Sequence, residues 1–373
     1  MRIVLAPSAY YPHVGGIEEL TRQLALTLES RGHEVSVLTN RWPAGVARHE
    51  VLDGVDVTRL AFPLPAARPG NAARFLVSAP GATLALLRHL SRRKPDVIHV
   101  IGAGPQSVYL GALVPLLRTR LVFTAQGELT FDAHNVFEHS TTMRAGLRRI
   151  LRRAAAVTGC SAYVLESLAT LGTIRTKAIV IPNGVNPDDF ASLKKKPSER
   201  PYVLAVGRLV NEKGFDVLID ALASAPMPEL DLVIAGEGPE QRALTIRAVE
   251  RGVSERVRFV GAVDRLALAE LLSGAAVFAF PSRGEPFGIA LLEAMAASVP
   301  SVASRAGGVT EFAEDEVNAL LVEPDDPGAL AHALARVISD SVLRERLCVA
   351  GRATANELSW LTIAPRYERL YGN

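Results

Sequence analysis

Short apolar runs alternate with helix-length segments along almost the whole chain, and this alternation is the feature that most constrains the fold. The runs before residue 187 are Ile3–Ala6, Val35–Thr39, Val97–Val100, Leu121–Thr124, Val157–Cys160 and Ala178–Ile181. Those after residue 201 are Val203–Gly207, Leu232–Ala235, Val257–Val260, Val277–Phe280, Ser301–Ser304 and Ala319–Val322. This pattern is typical of parallel strands whose two faces are both covered by the helices that connect them. It predicts an α/β protein with doubly wound parallel sheets.

Between the two series lies Asn186–Pro201, a polar, charged segment without apolar periodicity. Such composition is typical of a linker, and 373 residues suffice for two domains. We expect a Rossmann-like domain over residues 1–187, a second over 188–355, and a terminal segment over 356–373 with a helix from about Trp360. Ligands of such sheets bind at the carboxyl ends of the strands, so the expected site is a cleft that both domains face.

Charge is distributed unevenly along the chain. Residues 1–187 hold 21 Lys and Arg against 12 Asp and Glu, whereas residues 188–373 hold 20 against 27. The first half therefore favours an anionic partner, although a net charge of +2 and the lack of a recognisable binding module argue against nucleic acid. No apolar run reaches the ~20 residues of a membrane span, and the first residues do not resemble a secretion signal. We expect a cytoplasmic protein.

The loop expected after the first strand of the second domain carries two cations, Arg208 and Lys213. They are close enough in sequence to reach one anionic group, and a guanidinium offers a fork of donors to phosphate oxygens. A solvated loop without a ligand is the alternative.

A longer motif runs from Pro281 to Met295, with the sequence PSRGEPFGIALLEAM. It predicts a loop that presents Glu285 and a helix that begins at about Gly288, whose amino end would suit a diphosphate. Glu293 falls within that helix among apolar neighbours, so its carboxylate needs a hydrogen-bonding partner, and ribose hydroxyls would serve. Glu285 could reach a sugar instead. A structural salt bridge is the alternative for either glutamate.

In the first domain, Gly15 and Gly16 precede the first predicted helix. Glycines let backbone amides approach a ligand closely, and the amino end of a helix adds positive potential for a phosphate. A plain tight turn explains the same two residues equally well.

Six motifs occur in order along the chain: PHVGGIEE, IPNGVN, VGRLVNEKG, IAGEGPE, VRFVGAV and FPSRGEPFGIALLEAMA. This combination resembles glycosyltransferase family 4, the retaining enzymes of GT-B fold that use nucleotide-activated sugars. The resemblance implies a donor cleft between two Rossmann-like domains, with the terminal helix crossing back onto the first domain. Two cations and a helix dipole can stabilise a departing diphosphate in place of a metal ion. No Asp-x-Asp motif is present to supply metal ligands, so neither a metal nor another cofactor is expected.

The site residues of the family carry over position by position. Glu285 and Glu293 resemble its two-glutamate signature, and Arg208 and Lys213 resemble its pyrophosphate-binding pair. The catalytic residues implied are Arg208, Lys213 and Glu285, while Glu293 would hold the ribose. The other donor contacts implied are Gly15, Gly16, Gln126, Phe287, Gly288 and Ile289, with Val260, Gly261 and Ala262 lining the base pocket.

One position departs from the family. A histidine near the C6 hydroxyl of the donor sugar is common after the strand that here reads Leu121–Thr124, and this chain has Gln126. Glutamine forms hydrogen bonds but does not titrate near neutrality. We therefore hypothesise that the donor sugar, or its C6 substituent, differs from plain glucose or mannose.

Candidate acceptor-binding residues lie on two predicted strand-end loops of the first domain. They are Tyr10, Tyr11 and His13 on one loop, and Glu128, Phe131, Asp132, His134 and Asn135 on the other. Aromatic rings and polar side chains suit sugars or cyclitols, whereas aromatic residues that merely pack the loops are the alternative. A covalent intermediate would need a carboxylate nucleophile, for which Glu128 and Asp132 are the candidates.

A predicted helix carries five arginines on one side and apolar residues on the other. The arginines are Arg144, Arg148, Arg149, Arg152 and Arg153. A basic amphipathic helix can lie on an anionic membrane surface, so the protein could be peripheral at the inner face of the membrane. A solvated helix face is the alternative.

The leading hypothesis is a hexosyltransferase that moves a sugar from a nucleoside diphosphate, UDP by default, to a hydroxyl of a small-molecule, glycan or lipid-linked acceptor. Two alternatives share the architecture. A nucleotide-sugar 2-epimerase would use one sugar nucleotide as its only substrate, and a non-catalytic nucleotide-sugar-binding protein would keep the donor motifs alone.

Overall fold

The computed structural model describes residues 1–13, 15–43, 45–65, 69–113, 117–129, 136–172, 178–191, 200–224 and 230–372. Within it the chain forms two compact units. Unit 1 comprises Met1–Pro182 together with Trp360–Asn373, and unit 2 comprises Asn183–Ser359. The terminal helix therefore belongs to unit 1, although unit 2 precedes it in the sequence.

Each unit is built on one sheet. The strands of unit 1 are β1 (Arg2–Pro7), β2 (Glu34–Asn40), β3 (His49–Leu52), β4 (Val55–Leu60), β5 (Val97–Ile101), β6 (Arg120–Ala125), β7 (Ala156–Gly159) and β8 (Ala178–Val180). Those of unit 2 are β9 (Tyr202–Val206), β10 (Asp231–Ala235), β11 (Val257–Gly261), β12 (Val277–Phe280), β13 (Ser301–Ser304) and β14 (Leu320–Val322). The orders are β3-β4-β2-β1-β5-β6-β7-β8 and β11-β10-β9-β12-β13-β14.

The helices, numbered along the chain, cover these sheets. They are α1 (Gly16–Ser30), α2 (Pro69–Arg93), α3 (Pro105–Leu113), α4 (Val136–His139), α5 (Thr141–Arg153), α6 (Ala162–Ala169), α7 (Asp188–Ala191), α8 (Phe215–Ala223), α9 (Gln241–Glu250), α10 (Arg265–Gly274), α11 (Ile289–Ala296), α12 (Pro327–Ser339), α13 (Ser341–Glu357) and α14 (Trp360–Gly372). Within the described part of the chain, no helix combines the length and apolar character needed to cross a bilayer.

The central strands are short and buried on both faces, which explains their near-continuous apolar sequences. All five residues of β5 and all four of β12 are buried. Neighbouring strands pair in parallel, except that β3 runs antiparallel to β4. Each strand expected from the sequence is present within about two residues of its predicted bounds. The prediction of two Rossmann-like parallel-sheet units is confirmed.

In each sheet the chain changes direction once at the centre. In unit 2, β9 leads outward through β10 to β11, and the chain then returns to β12 on the other side of β9. In unit 1, the same reversal separates β1 from β5. Right-handed crossovers then require helices on both faces of each sheet. A crevice forms outside the carboxyl ends of the strands at such a reversal, where doubly wound folds bind ligands.

The terminal helix α14 docks on unit 1 through a buried polar network. The His99 ring, fully buried on β5, contacts the Tyr371 hydroxyl through Nδ1 at 2.7 Å and Thr124 Oγ1 through Nε2 at 2.6 Å. Burial lowers the pKa of His99 to about 3. The ring is therefore neutral at physiological pH, with one nitrogen as donor and the other as acceptor.

A second, more exposed clamp ties α14 to the end of α1. The Arg31 guanidinium donates to both carboxylate oxygens of Glu368, at 2.7 and 2.8 Å, and His33 Nε2 lies 2.8 Å from the same carboxylate. The hydrogen bond from Arg31 holds the pKa of Glu368 down at about 2. The Glu368 carboxylate, and with it the ion pair to Arg31, therefore stays ionised near neutral pH.

Two sequence-based expectations need correction. The predicted linker is wrong for Asn186–Ala191, because this stretch packs into unit 2: α7 begins at Asp188 and Phe190 is buried. The composition of this segment is polar like that of a linker, but its Asp189 forms an ion pair with Arg265. The β3–β4 hairpin was not predicted, although Asp53-Gly54 is a strong hairpin signal. Both residues adopt positive φ, at 50° and 89°, as a tight hairpin turn requires.

Candidate functional site

The densest group of predicted site residues lies on the two loops that flank the reversal in unit 2. The loop after β9 carries Arg208 and Lys213, and the loop after β12 carries Glu285. The two strands are hydrogen-bonded neighbours, so their carboxyl ends open onto the same part of the sheet edge. Topology alone therefore brings together residues more than seventy positions apart.

Lys213 and Glu285 form a direct ion pair. Lys213 Nζ lies 2.6 Å from Glu285 Oε2, with side chains only 13% and 10% exposed, and the same ammonium lies 5.3 Å from the centre of the Phe280 ring. A short 3-10 helix, Asn211–Lys213, presents the lysine. The sequence predicted a ligand for each residue and gave a salt bridge as the alternative for Glu285. The structure shows this salt bridge.

The two loops approach each other so closely that one position must be glycine. Gly214 has φ of 63°, and a Cβ placed there would lie 2.1 Å from the Pro281 carbonyl oxygen. The left-handed conformation and the lack of space both exclude a side chain. The backbone of the lysine-bearing turn therefore lies directly against the start of the glutamate-bearing loop.

Helix α11 begins immediately beyond Glu285. Gly288 caps it with φ of 107°, and the residue before it, Phe287, is buried against the Phe312 ring at 4.9 Å. The first amides of an α-helix have no intrahelical acceptor and carry partial positive charge. The predicted helix start, with Ile289 as its first residue, is confirmed, and it offers amide donors next to the Lys213–Glu285 pair.

Glu293 lies within α11, buried, and its partner is Arg265 at the start of α10. Arg265 Nη1 lies 3.0 Å from Glu293 Oε1, while its Nε lies 2.6 Å from Asp189 Oδ2. The Arg265 guanidinium also stacks 4.9 Å from the Phe190 ring. Sequence reasoning missed Arg265 and the contribution of α7. The unexplained charge of Glu293 was the available signal, because a buried carboxylate calls for a cation.

The remaining donor candidates of unit 2 lie on the loop after β9 and at the end of β11. Arg208 is exposed on the loop after β9. Gly261 accepts a hydrogen bond from the Gly236 amide at 2.7 Å, and the Ala262 amide lies 3.4 Å from Glu237 Oε1. Val260 is 37% exposed. Backbone groups and one exposed apolar side chain therefore line the position that the sequence assigned to a nucleotide base.

In unit 1, the loop after β1 leads into α1, which begins at Gly16 with Gly15 as its cap. His13 Nδ1 lies 2.7 Å from Glu18 Oε1, and the carboxylate of Glu18 is only 4% exposed while the His13 side chain is 45% exposed. A Cβ at Gly15 would come 2.7 Å from the other Glu18 oxygen. Gly15 thus gives room to the buried carboxylate that orients the histidine, in addition to any role toward a ligand.

Tyr10 and Tyr11 have different environments on this loop. Tyr10 is 3% exposed and packs edge-on against Tyr11, with ring centres 5.3 Å apart. Tyr11 donates its hydroxyl to Glu19 at 2.6 Å. Burial raises the pKa of both phenols, and the Glu19 hydrogen bond raises that of Tyr11 further. These contacts favour the packing role that the sequence left open for the two tyrosines.

Glu128 and Gln126 lie on the loop after β6. The Glu128 carboxylate accepts the amide of Ala103 at 2.8 Å and that of Gln126 at 3.1 Å, which joins the loops after β5 and β6. Burial raises the pKa of Glu128, and the amide donors oppose that rise. Both of its oxygens accept backbone amides, and these contacts favour a structural role for Glu128. Phe131, Asp132, His134 and Asn135 lie outside the described residues.

The arginines predicted on one helix lie on one face of α5. Arg144, Arg148, Arg149, Arg152 and Arg153 are exposed, whereas Met143, Leu147, Ile150 and Leu151 are buried. Ser140 caps the helix by accepting the Met143 amide at 3.2 Å. The predicted amphipathic pattern is confirmed.

Comparison with known proteins covers both units. Residues 14–189 match the family model described as Glycosyltransferase Family 4, and residues 188–354 match that of Glycosyl transferases group 1. The phosphatidyl-myo-inositol mannosyltransferase of Mycobacterium leprae is 30% identical over 386 residues, covering all of this chain and 96% of that protein. The chain belongs to glycosyltransferase family 4.

Solved structures agree with this membership. Sucrose-phosphate synthase from Thermosynechococcus elongatus superposes with a TM-score of 0.83 at 25% identity, covering all of this chain and 98% of that one. HepE from Anabaena, solved in complex with UDP, has a TM-score of 0.76 at 21% identity, covering 99% of both chains, and shares the fold. This family 4 protein is thus a glycosyltransferase of the GT-B type.

Proposed function

We propose that this glycosyltransferase is a retaining hexosyltransferase that uses a nucleoside diphosphate sugar, UDP-linked by default, and needs no metal ion. The observation that carries the proposal is the Lys213–Glu285 pair on the loops that precede α8 and α11, with Arg208 on the same loop as Lys213. Two cations and helix amides on neighbouring strand-end loops suit a diphosphate leaving group. The UDP bound by HepE is consistent with this chemistry.

The same cluster suggests how each group acts. Lys213 and Arg208 would bind the diphosphate and stabilise the negative charge that develops on it as the glycosidic bond breaks. Glu285, released from Lys213, would accept hydrogen bonds from the sugar, and Glu293 would accept them from the ribose. The acceptor hydroxyl would attack from the face that the diphosphate leaves, passing its proton to a phosphate oxygen, so that the anomeric configuration is kept.

For the acceptor we infer a binding role for the strand-end loops of unit 1. His13 is the best-supported candidate, because its imidazole is half-exposed and is oriented through Nδ1 by the buried Glu18 carboxylate. Gln126 would lie near C6 of the donor sugar and favour a sugar that differs there from plain glucose or mannose. The mannosyltransferase of Mycobacterium leprae, which acts on phosphatidyl-myo-inositol by its name, supports hydroxylated acceptors, lipid-linked ones included.

A lipid-linked acceptor would explain two exposed surfaces of unit 1. One is the arginine face of α5. The other is an apolar stripe on α2, where Leu76, Val77 and Leu84 are 71%, 84% and 46% exposed. Cations and exposed apolar side chains in one unit suit the surface of an anionic membrane. Co-sedimentation with vesicles containing anionic lipid should fall strongly when Arg148 and Arg149 are both changed to glutamate, and unchanged binding would contradict this role.

The reaction class is tested by incubating the protein with one NDP-sugar at a time, with and without candidate hydroxylated acceptors. Release of NDP that depends on an acceptor, with the anomeric configuration retained in the product, is the expected result. An epimerised sugar nucleotide formed without any acceptor would identify an epimerase instead. Tight NDP-sugar binding without turnover under any condition would indicate a binding protein.

A further inference from the structure

Arg283 lies at the centre of a polar cluster in unit 2. It is the third residue after β12, and its guanidinium donates to both carboxylate oxygens of Asp216, at 2.9 and 2.7 Å. Its Nε donates to Asp325 at 2.6 Å, and Nη1 also reaches the side-chain and main-chain oxygens of Asn211. The arginine is only partly exposed, at 22% of its side chain.

These partners come from two other strand-end connections, the one after β9 and the one after β14. Asn211 belongs to the 3-10 turn that presents Lys213, Asp216 lies in the first turn of α8 just beyond it, and Asp325 follows β14. The Arg283 amide also donates to the Glu212 carbonyl at 2.8 Å. Arg283 is thus bonded to the residues on both sides of Lys213, while its own loop continues within two residues to Glu285.

A second observation supports the same connection. The turn and the loop touch through backbone at Gly214 and Pro281, where no Cβ can be accommodated. Burial would raise the pKa of Asp216, but the hydrogen bonds and charge of Arg283 outweigh it and the pKa is lowered. The carboxylate therefore remains ionised, and the bidentate pair is the strong, geometrically specific kind.

We propose that Arg283 is a positioning residue that fixes the Lys213 turn against the Glu285 loop, and so sets the distance between the two groups that meet the donor diphosphate and sugar. Arg283 acts through Lys213 and Glu285 and does not contact the donor itself. The inference rests on the proposed function, because it assumes that these two loops bind a nucleoside diphosphate.

The chain provides a matched control one helical turn away. Asp220, also on α8, accepts a bidentate pair from Arg247, at 2.7 and 2.5 Å, and is contacted by Arg251 as well. This second Arg–Asp cluster lies in the same unit, but its hydrogen bonds join α8 to α9. Loss of either arginine removes a bidentate ion pair. A difference in Kd between the two variants would therefore arise from the location of Arg283 between the two loops.

The experiment measures Kd for UDP, GDP, ADP and dTDP, and for the matching monophosphate, by calorimetry with wild type, Arg283→Ala and Arg247→Ala, alongside Tm without ligand. We expect Arg283→Ala to raise Kd of the diphosphate at least tenfold and to shrink the preference for diphosphate over monophosphate. Arg247→Ala should change Kd less than twofold. A purely structural role would lower Tm in both variants and leave Kd alike.

Arg283→Lys covers the case in which the alanine variant does not fold. Lysine keeps the charge but cannot donate to Asp216, Asp325 and Asn211 together. We expect this variant to keep the Tm of wild type and to raise Kd of the diphosphate at least threefold. Equal Kd values in Arg283→Lys and wild type, or in Arg283→Ala and Arg247→Ala, would overturn the positioning role. Failure of wild type to bind any of the four diphosphates would instead overturn the proposed function, and the inference with it.

Discussion

Near the strand ends of unit 2 the acidic side chains pair with Lys213 and Arg265, whereas the strand-end loops of unit 1 combine one such contact, His13 with Glu18, with a carboxylate held by backbone amides and rings that pack together. In unit 2, Lys213 pairs with Glu285 and Arg265 pairs with Glu293. In unit 1, Glu128 binds two backbone amides and Tyr10 is buried against Tyr11. Two sheets of the same design therefore carry different chemistry at equivalent edges.

This difference indicates how the side chains of each unit would respond to a ligand. Paired charges at a part-buried site can exchange partners when a diphosphate and hydroxyl groups arrive, as the proposed function requires of Lys213 and Glu285. Rings and backbone-bonded carboxylates mainly fix the shape of a loop. This contrast agrees with the proposal that the donor binds to unit 2. The following variants test it.

Lys213→Ala should have the largest effect. Removal of one charged donor to the diphosphate is expected to raise Kd for the nucleoside diphosphate about 100-fold, or about 2.7 kcal/mol. Calorimetric titration checks this. Arg336→Ala, which removes an exposed ion pair with Glu316 in the same unit, is the control and should leave Kd unchanged.

The result for Lys213→Ala should not arise from an unpaired Glu285 alone. The double variant Lys213→Ala/Glu285→Gln removes that buried charge and should bind the diphosphate as weakly as the single variant. Recovery of wild-type affinity in the double variant would show that Lys213 only neutralises Glu285, and the contrast between the units would be lost.

Glu293→Gln should act on the ribose. A hydrogen bond from a hydroxyl to a carboxylate contributes about 2 kcal/mol to binding. The variant should therefore bind the ribonucleoside diphosphate roughly 30-fold more weakly than wild type does. Both proteins should bind the 2′,3′-dideoxy analogue about equally well. Competition titrations with the two nucleotides measure the ratio. Equal losses for both would mean that Glu293 serves only to hold Arg265.

His99→Gln should alter stability and leave donor binding unchanged, because His99 belongs to the buried network of unit 1. Between about pH 4 and 6, His99 is neutral when folded, given its pKa of about 3, and protonated when unfolded. Unfolding then takes up a proton, so the free energy of unfolding falls as pH falls, by about 1.4 kcal/mol per pH unit from this group. Glutamine keeps a donor and an acceptor but does not titrate.

Urea unfolding of wild type and His99→Gln from pH 4 to 7 isolates this term. The free-energy difference between the two proteins should move in favour of the variant as pH decreases, and become constant above about pH 7. Parallel curves over the whole range would contradict a neutral, buried His99.

Gln126→His should have the smallest of these effects, a change of about tenfold or less in the relative rates with different donor sugars. The residue is expected to contact only the C6 region, where one hydrogen bond is worth about 1 kcal/mol. Initial rates with a series of NDP-sugars give the preference before and after the change. An unaltered preference would reject the proposed role of Gln126.

Much of the fold could be predicted from sequence because parallel strands buried on both faces produce unmistakable apolar runs. The hairpin β3–β4 was missed because its residues alternate in burial instead of forming such a run. The linker expectation was wrong at α7 because the polar residues there are held by partners distant in sequence, as Asp189 is by Arg265.

The site was predictable to a similar degree. Motifs within single loops indicate Lys213, Glu285 and Gly288. The structure joins Lys213 and Glu285 in the salt bridge that was the alternative for Glu285, and their ligand contacts stay a prediction. Arg265 and Arg283 could not be found this way, since their importance lies in which loops they join. A sequence motif shows which residues one segment contains. The order of the strands in the sheet determines which segments lie next to one another.

The most direct test of the donor site in unit 2 is thermal unfolding of wild type and Lys213→Ala in EDTA with UDP, GDP, ADP or dTDP. A nucleoside diphosphate at 100 times its Kd adds about 2.7 kcal/mol to the free energy of unfolding. We predict that one of the four raises the Tm of wild type without any metal, and that the same concentration leaves Lys213→Ala almost unshifted. A shift that requires Mg²⁺, or one that Lys213→Ala retains in full, would contradict a metal-free diphosphate site built on Lys213.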